Sequence, residues 1–138
     1  MSNHYNLNLT EHTDTSKIIG KMRIGADWKD PKKNWLEIKS PVNSEIIGFT
    51  PIGESNDIDD AVNQSINSRK KIESLSIWER SHICFQISDV ILKNKEELSN
   101  LLCLEQGKPL YNEAIGEVEA AAASFRNWGE QAKWLETN

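Results

Sequence analysis

Between Cys103 and Val118 the chain gathers several side chains that could do chemistry. There is a thiol at Cys103, carboxylates at Glu105, Glu113 and Glu117, and an amine at Lys108 between Gly107 and Pro109. A thiol turns nucleophilic when a neighbouring cation or a helix N-terminus lowers its pKa. Cys103 instead sits among Leu101, Leu102 and Leu104, and reads as a small buried hydrophobe. Cys84, between Ile83 and Phe85, reads the same way. A lysine after a glycine can bind phosphate, but Lys108 lacks the remainder of a Walker loop and its Ser/Thr. It reads as a corner residue answering the carbonyls at a helix end. Glu113 and Glu117 are four apart on a predicted helix, and form a solvated face more readily than an acid–base pair.

The elements that must position these groups follow from periodicity and punctuation. Residues 1–17 are rich in Asn, Thr, Ser and His and read as a mobile N-terminal arm. Lys21 to Trp28 holds a short strand, followed by a turn at Asp30-Pro31-Lys32-Lys33. Trp35 to Lys39 alternates, Pro41-Val42-Asn43-Ser44 is a turn, and Glu45 to Thr50 is a second strand, which together predict a hairpin. From Ser55 the period becomes helical. Helices are predicted near 56–73, 77–93, 95–106 and 110–135. Ser55 or Asn56 can cap the first, Ser76 with Glu79 makes a capping box for the second, and Asn94 repeats that logic for the third. Gly107 stands where a left-handed C-cap belongs, and Pro109 suits the first turn of the next helix. That helix carries Leu110, Ala114, Val118, Ala121, Phe125, Trp128, Ala132 and Leu135 along one stripe.

Composition narrows the function classes. The 138 residues carry a net charge of −5, with 38% hydrophobic and 27% charged residues, a globular profile. Mean hydropathy is −0.58, polar for a self-contained globule. Such a chain has a thin core or belongs to a larger whole. No basic face suits nucleic acid, and no apolar run nears the ~20 residues of a membrane span. Met1 to Ser16 has no apolar segment, so no secretory signal is expected. Two cysteines without Cys-x-x-Cys spacing imply neither a disulfide framework nor a zinc site, and the expected setting is cytoplasmic. The three histidines, His4, His12 and His82, have no metal-ligand spacing. The five tryptophans lack the basic interleaving of a base-stacking surface.

Taken in order, the motifs resemble the N-terminal region of NAD(P)-dependent aldehyde dehydrogenases. Ile24-Gly25-Ala26-Asp27-Trp28 looks like that family's opening strand. Ser40-Pro41-Val42-Asn43-Ser44-Glu45 resembles its Asn-Pro-x-x-Gly-Glu turn, with Ser40 for Asn and Ser44 for Gly. Asp57 to Val62 resembles its first helix, and Trp78-Glu79-Arg80 its Trp-x-x-Arg corner. The best-matched stretch is Glu105-Gln106-Gly107-Lys108-Pro109 with Glu113-Ala114 and Gly116-Glu117-Val118. The resemblance runs over about residues 18–136.

It implies an α+β fragment, strands followed by about four helices, belonging to the α/β cofactor domain over 18–138. The complete enzyme would oxidise an aldehyde to an acid with NAD or NADP. A Cys thiolate attacks, an oxyanion site holds the charge, and a Glu activates water. None of the catalytic or cofactor-binding residues of that scheme is assigned to this chain, which has no G-x-G-x-x-G and is expected to be inactive alone. The expected partners are the remainder of the enzyme or homo-oligomer subunits, without nucleic acid or membrane. Glu113-Ala114-x-Gly116-Glu117-Val118 leans toward the semialdehyde-oxidising branch. Glu105 carries the one metal expectation: some family members hold a monovalent cation there with strand carbonyls near Ile38 and Lys39, and carboxylate plus carbonyl oxygens suit a hard cation. The alternative for Glu105 is a helix-terminal charge or surface pair. The alternative for the whole chain is a stand-alone, non-catalytic helical interaction module derived from the family.

Overall fold

Two small antiparallel hairpins precede four helices in a computed structural model that describes residues 20–29 and 35–134. The arm expected over 1–17, the turn over 30–33 and Leu135 lie outside the described residues. By internal contacts the chain divides into two units. The first is Met1–Arg69 with Leu104–Gly107, the second Lys70–Cys103 with Lys108–Asn138.

In the first unit, β1 (Met22–Ile24) pairs with β2 (Asp27–Lys29), and β3 (Trp35–Lys39) with β4 (Ile46–Pro51). The strand expected over Lys21 to Trp28 is therefore a hairpin. Gly25 has φ +61°, and with Ala26 it forms a two-residue loop between the paired Ile24 and Asp27. A glycine at the first loop position permits this reversal. The β3–β4 hairpin turns through Pro41-Val42-Asn43-Ser44 as expected. Its register slips between Ile38 and Lys39, which pair with Gly48 and Ile46, so Ile47 is the bulged residue and is buried.

Helix α1 (Ser55–Glu73) starts one residue earlier than expected, so Ser55 and Asn56 lie inside its first turn. The cap comes from Asp57, whose carboxylate accepts the Glu54 N–H at 2.8 Å. That bond accounts for a buried aspartate at a helix start, where the dipole favours negative charge. Lys29 donates to Asp60 at 3.0 Å, which raises the lysine's pKa above its usual value.

In the second unit, α2 (Ile77–Lys93) opens on the expected capping box. Ser76 Oγ accepts the Glu79 N–H at 3.2 Å, and the Glu79 carboxylate accepts the Ser76 N–H and O–H, each at 2.8 Å. The Ser76 amide first and its hydroxyl second hold the Glu79 carboxyl below the usual glutamate range. Asn94 acts backward, not forward: its side-chain amide donates to the Val90 carbonyl at 2.7 Å and closes α2. Helix α3 (Lys95–Gln106) follows at once. The last predicted helix is two pieces, a π-helical turn at Leu110–Ala114 and α4 (Ile115–Ala132).

Helix α2 packs chiefly on α4. Ser81 lies against Gly129, Asp89 pairs with Arg126, and Lys95 just past α2 pairs with Glu119, so the two helices run antiparallel. The inward residues are small: Ser81 and Ser88 on α2, Ala122 and Gly129 on α4, with Val118 beside them. The apolar stripe of α4 is divided: Ala114 and Val118 face inward, while Phe125 and Trp128 face out. Ala122 and Gly129 make the contact with α2, because a close helix approach needs the smallest side chains. Trp128 is 65% exposed. On α2, Ile83, Ile87 and Val90 are exposed, and the serines face in. Around the contact, Lys133 lies 4.9 Å and Arg126 5.6 Å from the Phe85 ring centroid.

A Cβ at Gly129 would stand 2.7 Å from Phe85 Cε1 and 3.1 Å from the Ser81 carbonyl oxygen, whereas one at Gly116 meets nothing. Both substitutions to Ala gain the same helix propensity, about 1 kcal/mol. Gly116→Ala should therefore stabilise by about 0.5–1 kcal/mol. Gly129→Ala should destabilise by about 1–2 kcal/mol despite that gain, because overpacking costs more. Urea unfolding followed by circular dichroism measures both.

Candidate functional site

The candidate chemistry lies at the end of α3 and the start of α4. Gly107 terminates α3 with φ +70°, the left-handed C-cap read from the sequence. In the first unit it meets the β3–β4 turn: a Cβ there would stand 3.0 Å from Pro41 Cγ and 3.1 Å from Val42 Cγ2. The left-handed conformation favours glycine, and an added side chain would press on Pro41 and Val42. That turn is tied by its own side chains. Ser40 Oγ accepts the Val42 N–H at 3.3 Å, and Asn43 bridges to the amide and carboxylate of Glu45. Ser44 stands in the left-handed region at φ 61°, the one non-glycine that does so among the described residues. This is the position where the resembled motif carries glycine.

In the second unit, the Cys103 thiol donates to the Lys108 carbonyl at 2.9 Å. Cys103 is half-buried and is not in a disulfide. Lys108 pairs with Glu117, its own side chain mostly covered. Its amine therefore answers a carboxylate on α4, where the sequence suggested helix-end carbonyls. Glu117 is correspondingly one half of an ion pair, while Glu113 is exposed. Pro109, at the N-cap position, lends its carbonyl to the amides of Glu113 at 3.2 Å and Ala114 at 3.1 Å. The Ile115 amide then reaches Leu110, five residues back, which defines the π turn. No signal in the sequence marks that wider turn.

Glu105 is exposed on the last turn of α3. Ile38 and Lys39 mark the bulge of the β3–β4 ladder. Among the described residues no group of three or more His, Cys, Asp or Glu could hold a metal ion. At the corner the Lys108 amine is engaged by Glu117. The hollow of about 330 Å³ lined by Trp128, Gln131, Ala132 and Trp134 sits on one helix end with an open apolar surface. No described helix is long and apolar enough to cross a membrane.

The two left-handed positions give opposite expectations. Ser44→Gly should stabilise by about 0.5–1 kcal/mol by removing left-handed strain. Gly107→Ala should destabilise by about 1–3 kcal/mol through strain and contact with Pro41 and Val42. Gly107→Asn should cost less strain than Gly107→Ala, since Asn tolerates this region. Thermal melts of the variants test the order.

The aldehyde dehydrogenase family profile matches residues 28–138. The mitochondrial succinate-semialdehyde dehydrogenase of Arabidopsis thaliana is 35% identical over 111 residues, covering 80% of this chain and 21% of its own length. Malonate-semialdehyde dehydrogenase 2 of Geobacillus kaustophilus is 31% identical over 100 residues, 72% of this chain and 20% of its own. The solved structure of an NAD-dependent aldehyde dehydrogenase from Sinorhizobium meliloti superposes with a TM-score of 0.78 at 29% identity, covering 88% of this chain and 25% of that one. The chain spans 20 to 21% of the length of these two curated relatives. The profile takes in β3, β4, the four helices and the Gly107 corner, and the chain belongs to the aldehyde dehydrogenase family.

Proposed function

We propose that these residues serve as the N-terminal part of the cofactor-binding domain of a cytoplasmic aldehyde dehydrogenase, and that by themselves they do not catalyse. The whole enzyme would oxidise an aldehyde, a semialdehyde by the names of two relatives, to a carboxylic acid. NAD or NADP would supply the hydride acceptor there.

The observation that carries this reading is the direction of the apolar faces. Ile58, Val62 and Ile66 on α1, Ile87 and Val90 on α2, and Phe125 and Trp128 on α4 are all exposed, as is Trp134 just beyond α4. Helices normally bury such stripes. Burying one side chain of this kind contributes about 1.5–3 kcal/mol. Several left in water withhold an amount comparable to a domain's whole stability of ~5–15 kcal/mol. The partner that fits is the remainder of the enzyme or a neighbouring subunit. At the corner this chain's residues do structural work: Gly107 reverses the backbone, Lys108 and Glu117 pair, and Cys103 is held by the Lys108 carbonyl. Within the same reading, Glu105 with carbonyls near Ile38 and Lys39 binds a monovalent cation. The ladder irregularity at those two residues supports this.

Purified chain, given succinic semialdehyde with NAD+ or NADP+, should produce no NAD(P)H, and calorimetry should show no tight binding of either nucleotide. It should bind a hydrophobic dye and melt broadly. Turnover that disappears in Cys103→Ser would contradict the reading. A sharp melt without dye binding would favour the stand-alone module. Calorimetry with sodium or potassium chloride should give a binding heat that Glu105→Gln removes. A heat unchanged by that substitution would refute the cation site.

A further inference from the structure

Between Pro109 and Ile115 the backbone makes two consecutive hydrogen bonds that each span five residues. The Ala114 amide donates to the Pro109 carbonyl at 3.1 Å, and the Ile115 amide donates to the Leu110 carbonyl. The Pro109 carbonyl also accepts the ordinary α-type bond of the Glu113 amide, at 3.2 Å. Helix α4 then continues with α geometry to Ala132. A single π turn joined to an α-helix takes up one residue more than an α turn does. Everything after it is set back by one position, ~100° of helical rotation.

That set-back decides which side of α4 meets α2. Val118, Ala122 and Gly129 lie within ~40° of one another on the helix, and all three are buried. Trp128 follows Leu110 by eighteen residues, about five α turns, so an unbroken helix would set the two in line. With one residue taken up in the turn, half-buried Leu110 lines up with Gly129 instead. The difference matters at Phe85. Even a Cβ at the place of Gly129 would stand 2.7 Å from Phe85 Cε1, so that place has no room for an indole. The start of the turn is anchored in the same unit, where the Lys108 carbonyl accepts the Cys103 thiol and the Lys108 amine pairs with Glu117 across the turn.

We propose that the π turn is a phase-setting device, whose one extra residue rotates α4 so that Ala122 and Gly129, and not Ala121 and Trp128, face α2. Deleting the exposed Asn112 makes Ala114 the fourth residue after Pro109 and Ile115 the fourth after Leu110. Both π bonds then become α bonds between the same groups, and α4 keeps its phase. The chain lacking Asn112 should retain the parent's helix content by circular dichroism and unfold at the same or a higher urea concentration. Deleting the exposed Ala120, beyond the turn, rotates the rest of α4 by ~100° and should lower that midpoint. Gly129→Ala should still destabilise the chain that lacks Asn112, because Gly129 still lies against Phe85. A midpoint lowered as much by loss of Asn112 as by loss of Ala120 overturns the proposal. So does a Gly129→Ala substitution that becomes neutral or stabilising once Asn112 is removed.

Discussion

The contact between α2 and α4 sets the terms for the second unit. It depends on four small residues, Ser81 and Ser88 against Ala122 and Gly129, which bring two antiparallel backbones close. The two serine hydroxyls have no hydrogen-bond partner among the described residues, so they act here as small side chains. Close approach fixes the rotation of both helices. With the serines inward, Ile83, Ile87 and Val90 must face out, and with Gly129 inward, Trp128 must too. Phe85 fills the space that Gly129 leaves, and Arg126 and Lys133 cover its ring.

The first unit shows the same arrangement by other means. Its small hairpins bury Ile24 and Ile47, and α1 meets the first of them through Asp60 and Gln64. The apolar side of α1 is again outward. Caps and corners are satisfied locally: Asp57 on Glu54, Ser76 with Glu79, Asn94 on Val90, Lys108 with Glu117. Local structure is thus well specified while the broad apolar faces have no cover within the described residues. That combination is what a part of a larger enzyme would have, and membership of the aldehyde dehydrogenase family is consistent with it.

The elements were largely legible in the sequence because their signals are local. The bounds of α2 and α3, the Ser76 capping box, the Gly107 C-cap and the β3–β4 hairpin all follow from residues within a few positions of one another. The misreadings were of two kinds. Gly25 and Asn94 each admit two local roles, and the fold uses the turn and the backward cap. The small inward residues of α2 and α4 escape a periodicity reading because periodicity finds the most apolar side of a helix, whereas this contact selects the smallest side chains. The π turn after Pro109 and the Lys108–Glu117 pair depend on geometry across the corner, which no short pattern encodes. At the candidate site, the reading of Cys103 as a packing residue rests on its leucine neighbours, and its bond to the Lys108 carbonyl, made across the corner, has no signature in those neighbours.

Amide hydrogen exchange on the purified chain tests most directly whether the α2–α4 contact organises this unit. The account predicts the slowest exchange in α2 from Ser81 to Ile91 and in α4 from Val118 to Gly129. Amides of α1, with its apolar face in water, should exchange much faster. Protection that is highest in α1, or uniformly weak across α2 and α4 while α1 holds, would contradict it.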